Sequence, residues 1–289
     1  MSQPAYIAAA NLVRIFRSED VETFALQGLD LTVQQGEMVA LIGPSGAGKS
    51  TFLNLLSALD RPDAGTLYVG GVDIVAASDR QRAEYRRSQV GFLWQQTTRN
   101  LIPGLTAREN VALPALLAGI RPNDAYASAD ELLMAVEMAD HRHRDPLRMS
   151  GGQQQRIAIA TALGCKPPLL LADEPTGEVD WASAERILAL LQRLRREYAL
   201  TIVLVTHDTR VAEAADRTVA IRDGRTSSER GTDDVETVVV DAAGRLQIPG
   251  DLLQRVGLGS RATVTAVDGG ILVRPWSPAV HRSAAEDQS

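Results

Sequence analysis

The chain has 289 residues, 45% of them hydrophobic and 23% charged, a size and balance that predict a globular protein with one large domain and a small one. Its formal net charge of −6 excludes a generally basic protein that coats nucleic acid, although not a local basic patch. The single cysteine excludes an intrachain disulfide, and since no apolar run reaches the ~18 to 20 residues that cross a bilayer, work at a membrane would need another chain.

The first elements in chain order are predicted from apolar patterning. Residues from about Tyr6 to Val39 carry short apolar alternations, which predict strands joined by turns. The segment MVALIG is continuously apolar, as is typical of a strand buried in a parallel sheet. Glycines follow it, and KSTFLNLLSAL then has apolar residues at helical spacing. Strand, glycine-rich turn and helix in this order predict a β–α unit.

The middle of the chain, roughly residues 80–146, has helical patterns without buried strands, and predicts a helical subdomain inserted in the core. Beyond it, the apolar runs PLLLAD and TIVLVTHD predict two more buried strands. The long amphipathic stretch SAERILALLQRLRREY separates them. Helices that alternate with buried strands predict a doubly wound α/β core. The large domain is predicted to cover residues 1–225.

The end of the chain predicts a second, smaller domain. Residues 226–234 are polar, with Gly, Ser and mixed charge, and predict a linker. Residues 235–275 then carry the pattern β-β-α-β-β, in which the turn DGG between the last two strands favours a hairpin. Residues 276–289 are predicted to be a disordered tail.

The stretch GPSGAGKST matches the phosphate-binding loop G-x-x-x-x-G-K-[ST] and lies between the predicted strand and helix, as that loop requires. Glycines let backbone N–H groups surround phosphate oxygens, and the helix adds its positive N-terminal end. Lys49 is predicted to reach the β and γ phosphates, and Ser50 to ligate Mg²⁺. The predicted nucleotide-binding residues here are Gly43, Pro44, Ser45, Gly46, Ala47, Gly48, Lys49, Ser50 and Thr51.

Two acidic residues, Asp173 and Glu174, stand at the end of the predicted strand PLLLAD. Asp173 is placed to hold Mg²⁺, directly or through water. Adjacent residues of a strand point to opposite faces, but the chain turns at the strand's end, so that Glu174 can also face the γ-phosphate. A carboxylate in that place can orient and deprotonate an attacking water.

The sequence MSGGQQQR, which shortly precedes LLLADEPTGEVD, resembles the signature of ATP-binding-cassette (ABC) ATPases. The resemblance covers about residues 5–225, with Met149 where the family usually has Leu. It implies the fold of a P-loop NTPase of ABC type, with a parallel-sheet core, an antiparallel β subdomain and an inserted helical subdomain. ATP and Mg²⁺ are the implied cofactors.

The resemblance also implies roles for further residues. The implied adenine-stacking residue is Phe16, with a core phenylalanine as the alternative interpretation; the implied sensor of Mg²⁺ and water is Gln95, with Gln96 as the alternative register. Contacts to the γ-phosphate are implied for Ser150, Gly151 and Gly152 from the other subunit, and for His207 at the end of a strand. Gln153 is also an implied nucleotide-binding residue, as is Asp180, which closes the loop that crosses the dimer interface. Each ATP would then lie between two copies of this chain.

Within the family, NLIPGLTARENVALPALLAG and PPLLLADEPTGEVD look most like the MacB/LolD/FtsE group. This implies a homodimer that drives a separately encoded membrane permease, peripheral on the inner, cytoplasmic face of the cell membrane. The segment QQTTRNLIP is longer than the group's usual form, and Thr161 stands where the family usually has Arg. The alternatives are a soluble ABC ATPase of DNA repair or translation, and an importer ATPase with a C-terminal regulatory domain.

The small domain contains DAAGRLQIPGDLLQRVGL and a closing GGILVRP, and resembles the AbrB/MazE swapped-hairpin family. A unit of about 40 residues rarely folds alone, which agrees with dimerisation. Its positive and negative charges balance: Arg245, Arg255, Arg261 and Arg274 stand against Glu236, Asp241, Asp251 and Asp268. Since a grip on DNA needs unbalanced positive charge, the balance argues against DNA binding and for a clamp between two ATPase subunits.

Overall fold

The computed structural model describes residues 5–18, 21–231, 236–240, 244, 246–248, 250–259 and 261–275. The chain divides into two compact units at the bond between Thr237 and Val238.

A seven-stranded, mostly parallel sheet forms the centre of the large unit, in the spatial order β11-β10-β9-β3-β8-β7-β6. Its strands are β3 (Met38–Ile42), β6 (Val90–Leu93), β7 (Leu169–Asp173), β8 (Thr201–Val205), β9 (Arg217–Arg222), β10 (Arg225–Arg230) and β11 (Glu236–Val238). The strand β3 pairs in parallel with both β8 and β9, and β7 pairs in parallel with β6 and β8. The predicted doubly wound core is therefore present.

Both faces of this sheet are buried, because successive side chains of a strand point to opposite sides. In β3, Met38 and Ala40 join one hydrophobic core, and Val39 and Leu41 join the other. Every residue of β8 is buried. This explains why the predicted strands are continuously apolar instead of alternating.

A four-stranded antiparallel sheet, in the order β2-β1-β4-β5, covers one of the two cores. Its strands are β1 (Ile7–Ser18), β2 (Val21–Val33), β4 (Ala64–Val69) and β5 (Val72–Asp73). The predicted N-terminal strands are β1 and β2, which pair with each other along nearly their whole length. Two phenylalanines, Phe16 and Phe24, are exposed near the end of the hairpin at which Ser18 pairs with Val21.

Eight α-helices complete the two units within the described residues. They are α1 (Lys49–Leu56), α2 (Asp79–Ser88), α3 (Ala107–Leu117), α4 (Pro122–Ala135), α5 (Gly151–Ala162), α6 (Trp181–Tyr198), α7 (Thr209–Ala212) and α8 (Gly250–Arg255). Helix α1 packs in the core beneath the antiparallel sheet, and α3 to α6 share the opposite core. In the described ranges, none of the helices combines the length and the apolar character needed to cross a membrane.

The helical insert predicted over residues 80–146 needs a correction. Helices α2, α3 and α4 lie in that range, but so does β6, which pairs with β7 as the edge strand of the central sheet. The strand has only four residues, and Gly91 interrupts its apolar run. An added Cβ at Gly91 would lie 2.4 Å from the carbonyl oxygen of Ala162, so close packing against the end of α5 requires glycine there.

The linker predicted over residues 226–234 also needs a correction, because residues 226–230 belong to β10. That strand pairs antiparallel with β9 from Arg225 to Arg230. Its side chains are polar, as in a linker, but they are hydrogen-bonded to other parts of the chain. Thr226 donates a hydrogen bond to the carbonyl of Asp30. Ser227 donates to the carbonyl of Ala220 at 3.1 Å. Buried hydroxyls that are satisfied in this way fit a sheet as well as apolar side chains do.

The small unit contains α8 and a hairpin of β12 (Ala262–Val267) and β13 (Gly270–Pro275). The hairpin turns at Asp268 and Gly269, where the sequence predicts it. The predicted strand RLQIP lies partly outside the described residues, and Leu246 within it forms a bridge with Val240. The predicted tail at residues 276–289 lies wholly outside them.

Candidate functional site

The carboxyl ends of four adjacent strands of the central sheet lie side by side. The order β6-β7-β8-β3 sets the segment with Gln95, the pair Asp173 and Glu174, His207 and the phosphate loop side by side. A cavity of about 490 Å³ opens there, and residues from all four segments line it. The carboxyl edge of an open α/β sheet is where such folds bind ligands.

The phosphate-binding loop lines this cavity, and its backbone is left-handed at Gly48. Gly48, which precedes α1, has φ of +102°, and a Cβ there would lie 2.4 Å from the carbonyl oxygen of Ala25. Only glycine can therefore bring the loop against the neighbouring strand. The Nζ of Lys49 donates to the carbonyls of Gly43 at 2.8 Å and Pro44 at 3.0 Å, which holds the ammonium over the loop.

Most of the predicted loop residues face the cavity. Its lining includes Gly43, Ser45, Gly46, Gly48, Lys49, Ser50 and Thr51. Ala47 is instead buried, and its carbonyl accepts from the N–H of Gly224 at 3.1 Å. Pro44 contributes its carbonyl to Lys49. These two residues shape the loop, and the others are placed to meet a ligand.

The acidic residue at the end of β7, Asp173, lies against the start of α1. Its carboxylate hydrogen-bonds Ser50, and burial raises its pKa above the ordinary value, while that hydrogen bond and the charge of Lys49 oppose the rise. A hydroxyl and a carboxylate are hard oxygen donors of the kind that Mg²⁺ prefers. A cation at this pair would also compensate the burial of the charge, so the residues fit a Mg²⁺ site.

The neighbouring Glu174 turns into the same cavity because its backbone is left-handed, with φ of +49°. Such a conformation is unfavourable for a residue with a side chain and is typical of functional sites. His207 meets it from the end of β8, with Nδ1 at 2.7 Å from Oε1 of Glu174. This hydrogen bond and the negative charge of Glu174 raise the pKa of His207 above its ordinary value.

The two alternatives for the glutamine after β6 differ in place. Gln95 lines the cavity together with Asp173, Glu174 and His207. Gln96 precedes the 3-10 turn Thr97–Asn100 and is not among the described residues that line the cavity. The geometry therefore favours the register with Gln95 at the site.

The signature residues lie at a second cavity, of about 480 Å³. Ser150, Gly151, Gly152 and Gln153 line it at the start of α5, together with Asp180 from the start of α6. The Oε1 of Gln153 accepts from the N–H of Ser150 at 3.1 Å, and the carboxylate of Asp180 accepts from the N–H of Ser183 at 2.9 Å. The backbone N–H of Ser183 lowers the pKa of Asp180. The two cavities have no lining residue in common.

An aromatic residue that the sequence reasoning missed lies at the phosphate-loop cavity. Thr23, Phe24 and Ala25 of β2 line it, whereas Phe16 is not among the described lining residues. The pairs Ile15 with Phe24 and Phe16 with Thr23 are adjacent in the hairpin, so the two phenyl rings leave it on opposite faces. The guanidinium of Arg14 also lies over the ring of Phe16 at 4.7 Å. An aromatic residue in β2 is a signal in the sequence, but only the fold shows that Phe24 is among the residues that line the cavity.

We expect Phe24→Ala to weaken ATP binding about tenfold, because loss of a base–aromatic contact has effects of roughly 1–3 kcal/mol. Binding of inorganic triphosphate, which has no base, should stay within about twofold of the wild type. Titration calorimetry of both ligands checks this, with Phe16→Ala as the matched control. A loss of ATP affinity in Phe16→Ala and not in Phe24→Ala would instead support Phe16 as the adenine contact.

These features define the class of the protein: a P-loop domain that binds a nucleoside triphosphate at the carboxyl edge of its sheet, with a carboxylate beside the phosphate loop. The sequence model of the family described as "ABC transporter" matches residues 26–177, more than half of the chain. The chain thus belongs to the ABC transporter ATP-binding family, whose members are ATPases, and it is an ATP-binding ATPase.

Two curated relatives and one solved structure show how far the likeness extends. The lipoprotein-releasing system ATP-binding protein LolD of Porphyromonas gingivalis is 42% identical over 77% of this chain and 99% of its own length. The macrolide export ATP-binding/permease protein MacB of Azoarcus sp. is 43% identical over 78% of this chain, which spans only 34% of that relative. The dimeric post-hydrolysis structure of the ATP-binding cassette MJ0796, bound to ADP and Pi, is 37% identical with a TM-score of 0.71, over 78% of this chain and 98% of that one.

Proposed function

We propose that the chain works as a homodimer that hydrolyses ATP to drive a separate membrane permease, in export, lipoprotein extraction or transmission of force. The observation that carries the proposal is that the phosphate-loop cavity and the signature cavity of one chain are separate. A site that needs both must therefore be built from two chains. The dimeric state of the related cassette MJ0796 supports this arrangement.

In the proposed sandwich, ATP lies between the phosphate loop of one chain and Ser150 to Gly152 of the other. The start of α5 would meet the γ-phosphate with backbone N–H groups and the positive end of the helix. Asp180 begins α6 at the same cavity and would cross the interface beside it. ATP then joins the two chains. Hydrolysis adds charge repulsion between the products, and the two chains separate.

The residues around the phosphate loop support an in-line attack by water. Lys49 would bind the β and γ phosphate oxygens, and His207 the γ-phosphate. Glu174 would take the proton of the attacking water, and Gln95 would orient that water. Ser50, Asp173 and Gln95 would hold Mg²⁺, which when bound neutralises charge on the phosphates. His207 keeps Glu174 in place through their hydrogen bond of 2.7 Å.

The proposed permease surface is a groove of about 470 Å³ beside the segment that follows Gln95. Its apolar residues include Phe92, Ile102, Leu113 and Leu117, and Arg86 and Arg87 also line it. Leu117 at the end of α3 is 69% exposed, which is unfavourable for a large apolar side chain that stays uncovered. A short apolar helix of the permease, presented to the cytoplasmic side, would cover it.

We expect Leu117→Asp to abolish co-purification of the permease from detergent-solubilised membranes, because a buried, unpaired carboxylate opposes docking. The basal ATPase rate should stay within about twofold of the wild type, since the groove and the phosphate-loop cavity have no lining residue in common. Affinity purification followed by mass spectrometry measures the first effect. The matched control is Met134→Asp, which changes an equally exposed residue (66%) of α4 outside the groove.

The outcomes separate the two parts of the proposal. A multi-spanning membrane protein that co-purifies with the wild type and with Met134→Asp, but not with Leu117→Asp, supports the permease function. If no such membrane protein co-purifies with the wild type, the chain is a soluble ABC ATPase and the transport proposal is wrong. If it binds all three chains equally, the docking surface lies elsewhere.

We also propose, from the AbrB/MazE resemblance, that the small unit is a dimer clamp. A lone two-stranded hairpin is marginal in water, and several apolar side chains of this unit are exposed. Ile271 is 72% exposed, and the others are Val240, Leu246, Leu252, Val256, Val264 and Val267. A second copy that covers these residues would stabilise the unit without a metal or a disulfide. Its balanced charges support this role over DNA binding, although Arg245 and Asp241 lie outside the described residues.

A further inference from the structure

A buried threonine follows the cavity glutamine by two residues. Thr97 is 4% exposed, although it is polar and lies in the 3-10 turn Thr97–Asn100 just after Gln95. Its neighbour Thr98 is exposed to solvent. A buried hydroxyl is stable only when it is hydrogen-bonded, so the partners of Thr97 show what holds this segment in place.

Thr97 binds two side chains from different parts of the chain. Its backbone N–H donates to Oε2 of Glu178 at 3.1 Å. Its hydroxyl meets Oε1 of Gln155, which belongs to α5 and is also 4% exposed. The Nε2 of Gln155 then donates to the carbonyl of Pro175 at 2.7 Å.

The direction of each hydrogen bond is determined by its chemistry. The carbonyl of Pro175 only accepts, so the amide nitrogen of Gln155 must face it. The amide oxygen of Gln155 then faces Thr97, whose hydroxyl must donate. The side-chain polar atoms of Thr97 and Gln155 each have a hydrogen-bond partner. Removal of the hydroxyl would leave Oε1 of Gln155 buried without a donor, which is more unfavourable than a lost surface hydrogen bond.

The contacts of Thr97 reach one loop at two points. Pro175 directly follows Glu174, and Glu178 lies three residues further along the same loop. The left-handed backbone of Glu174 is the strained part of this loop. Its N–H donates to the carbonyl of Val205 at 3.0 Å, which anchors one side. The contacts through Gln155 and Glu178 anchor the other side.

We propose that Thr97 is a positioning residue for Glu174. Through Gln155 and Glu178 it holds the loop that follows Glu174, and so keeps the carboxylate directed into the phosphate-loop cavity. The same contacts join the segment beside the permease groove to the residue that activates water. The proposal rests on the proposed role of Glu174 as the base, and it adds a residue to which the family resemblance assigns no role.

The test compares three variants of the intact chain. Thr97→Val removes the hydroxyl at nearly constant shape, and we expect kcat for ATP hydrolysis to fall about 5- to 50-fold, with KM for ATP changed less than about twofold. Thr97→Ser keeps the donor and should stay within about twofold of the wild-type kcat. Thr98→Val is the matched control at the exposed neighbour and should leave kcat and KM unchanged.

A double-mutant cycle distinguishes positioning from general destabilisation. Gln155→Leu should lower kcat by itself, and adding Thr97→Val should then lower it no further, because the contact is already absent. Should Thr97→Val be insoluble, Thr97→Ala removes the same hydroxyl and carries the same prediction. An unchanged kcat in the hydroxyl-free variant, a loss in Thr97→Ser of equal size, or independent effects in the cycle would overturn the proposal.

Glu174→Gln, measured in parallel, separates this inference from the function on which it rests. If Glu174→Gln keeps the wild-type rate, Glu174 is not the base and Thr97 has nothing to position. If Glu174→Gln abolishes hydrolysis while Thr97→Val has the wild-type kcat, only the proposal for Thr97 is wrong.

Discussion

Replacement of Glu174 by glutamine is expected to lower kcat for ATP hydrolysis by about 10²- to 10⁴-fold, the range of a lost general base. ATP should still bind, because the phosphate loop, Lys49 and Ser50 are unchanged. Since ATP then persists between the two chains, the variant should accumulate as a closed dimer. A phosphate-release assay and size-exclusion chromatography with MgATP measure the two effects.

A second readout and a control sharpen this experiment. The pKa of His207 should fall toward its ordinary value in Glu174→Gln, because the carboxylate that raises it is gone. An NMR titration of the histidine ring protons measures that fall. Glu185→Gln removes a carboxylate from the exposed face of α6 and should keep the wild-type kcat and His207 pKa. Hydrolysis by Glu174→Gln at near the wild-type rate would remove Glu174 as the base.

Truncation of the chain after Thr237 is expected to give a monomer in the absence of nucleotide, whereas the full chain stays dimeric. Two subunits joined by a clamp meet at an effective concentration toward the millimolar range, and the cut removes that advantage. Analytical ultracentrifugation without nucleotide measures the difference. The cut must spare β10, because Thr226, Ser227 and Ser228 are buried in the central sheet. A cut after Arg225 would damage the ATPase unit itself.

The full-length chain offers a point variant for the same question. Ile271→Asp places a charge on the most exposed large apolar side chain described in the small unit, and should give the same monomer as the truncation. Met134→Asp is again the matched control in the large unit. If the truncated chain is as dimeric as the full chain without nucleotide, the clamp proposal is wrong.

Motifs of residues close together in the sequence predicted much of the nucleotide site. Loop Gly43–Thr51 between a buried strand and a helix, and Asp173 with Glu174 at the end of another strand, are interpretable without a structure, because a phosphate loop depends on residues close in sequence. The strand β6 was not predicted, because a four-residue segment that contains a glycine is too short to show a strand pattern of apolar residues. The strand β10 was not predicted because its buried side chains are hydroxyls that find partners elsewhere in the chain.

The sequence by itself therefore determined the class of this protein, the phosphate loop and the acidic pair, since their chemistry follows from adjacent residues. Only the tertiary structure decided which phenylalanine faces the cavity, that Gln95 and not Gln96 lines it, and that Thr97 reaches the loop after Glu174. Each of these depends on strand pairing or on contacts between residues far apart in the chain: 58 residues separate Thr97 from Gln155. Such contacts form only when burial and hydrogen bonding across the whole fold are satisfied together.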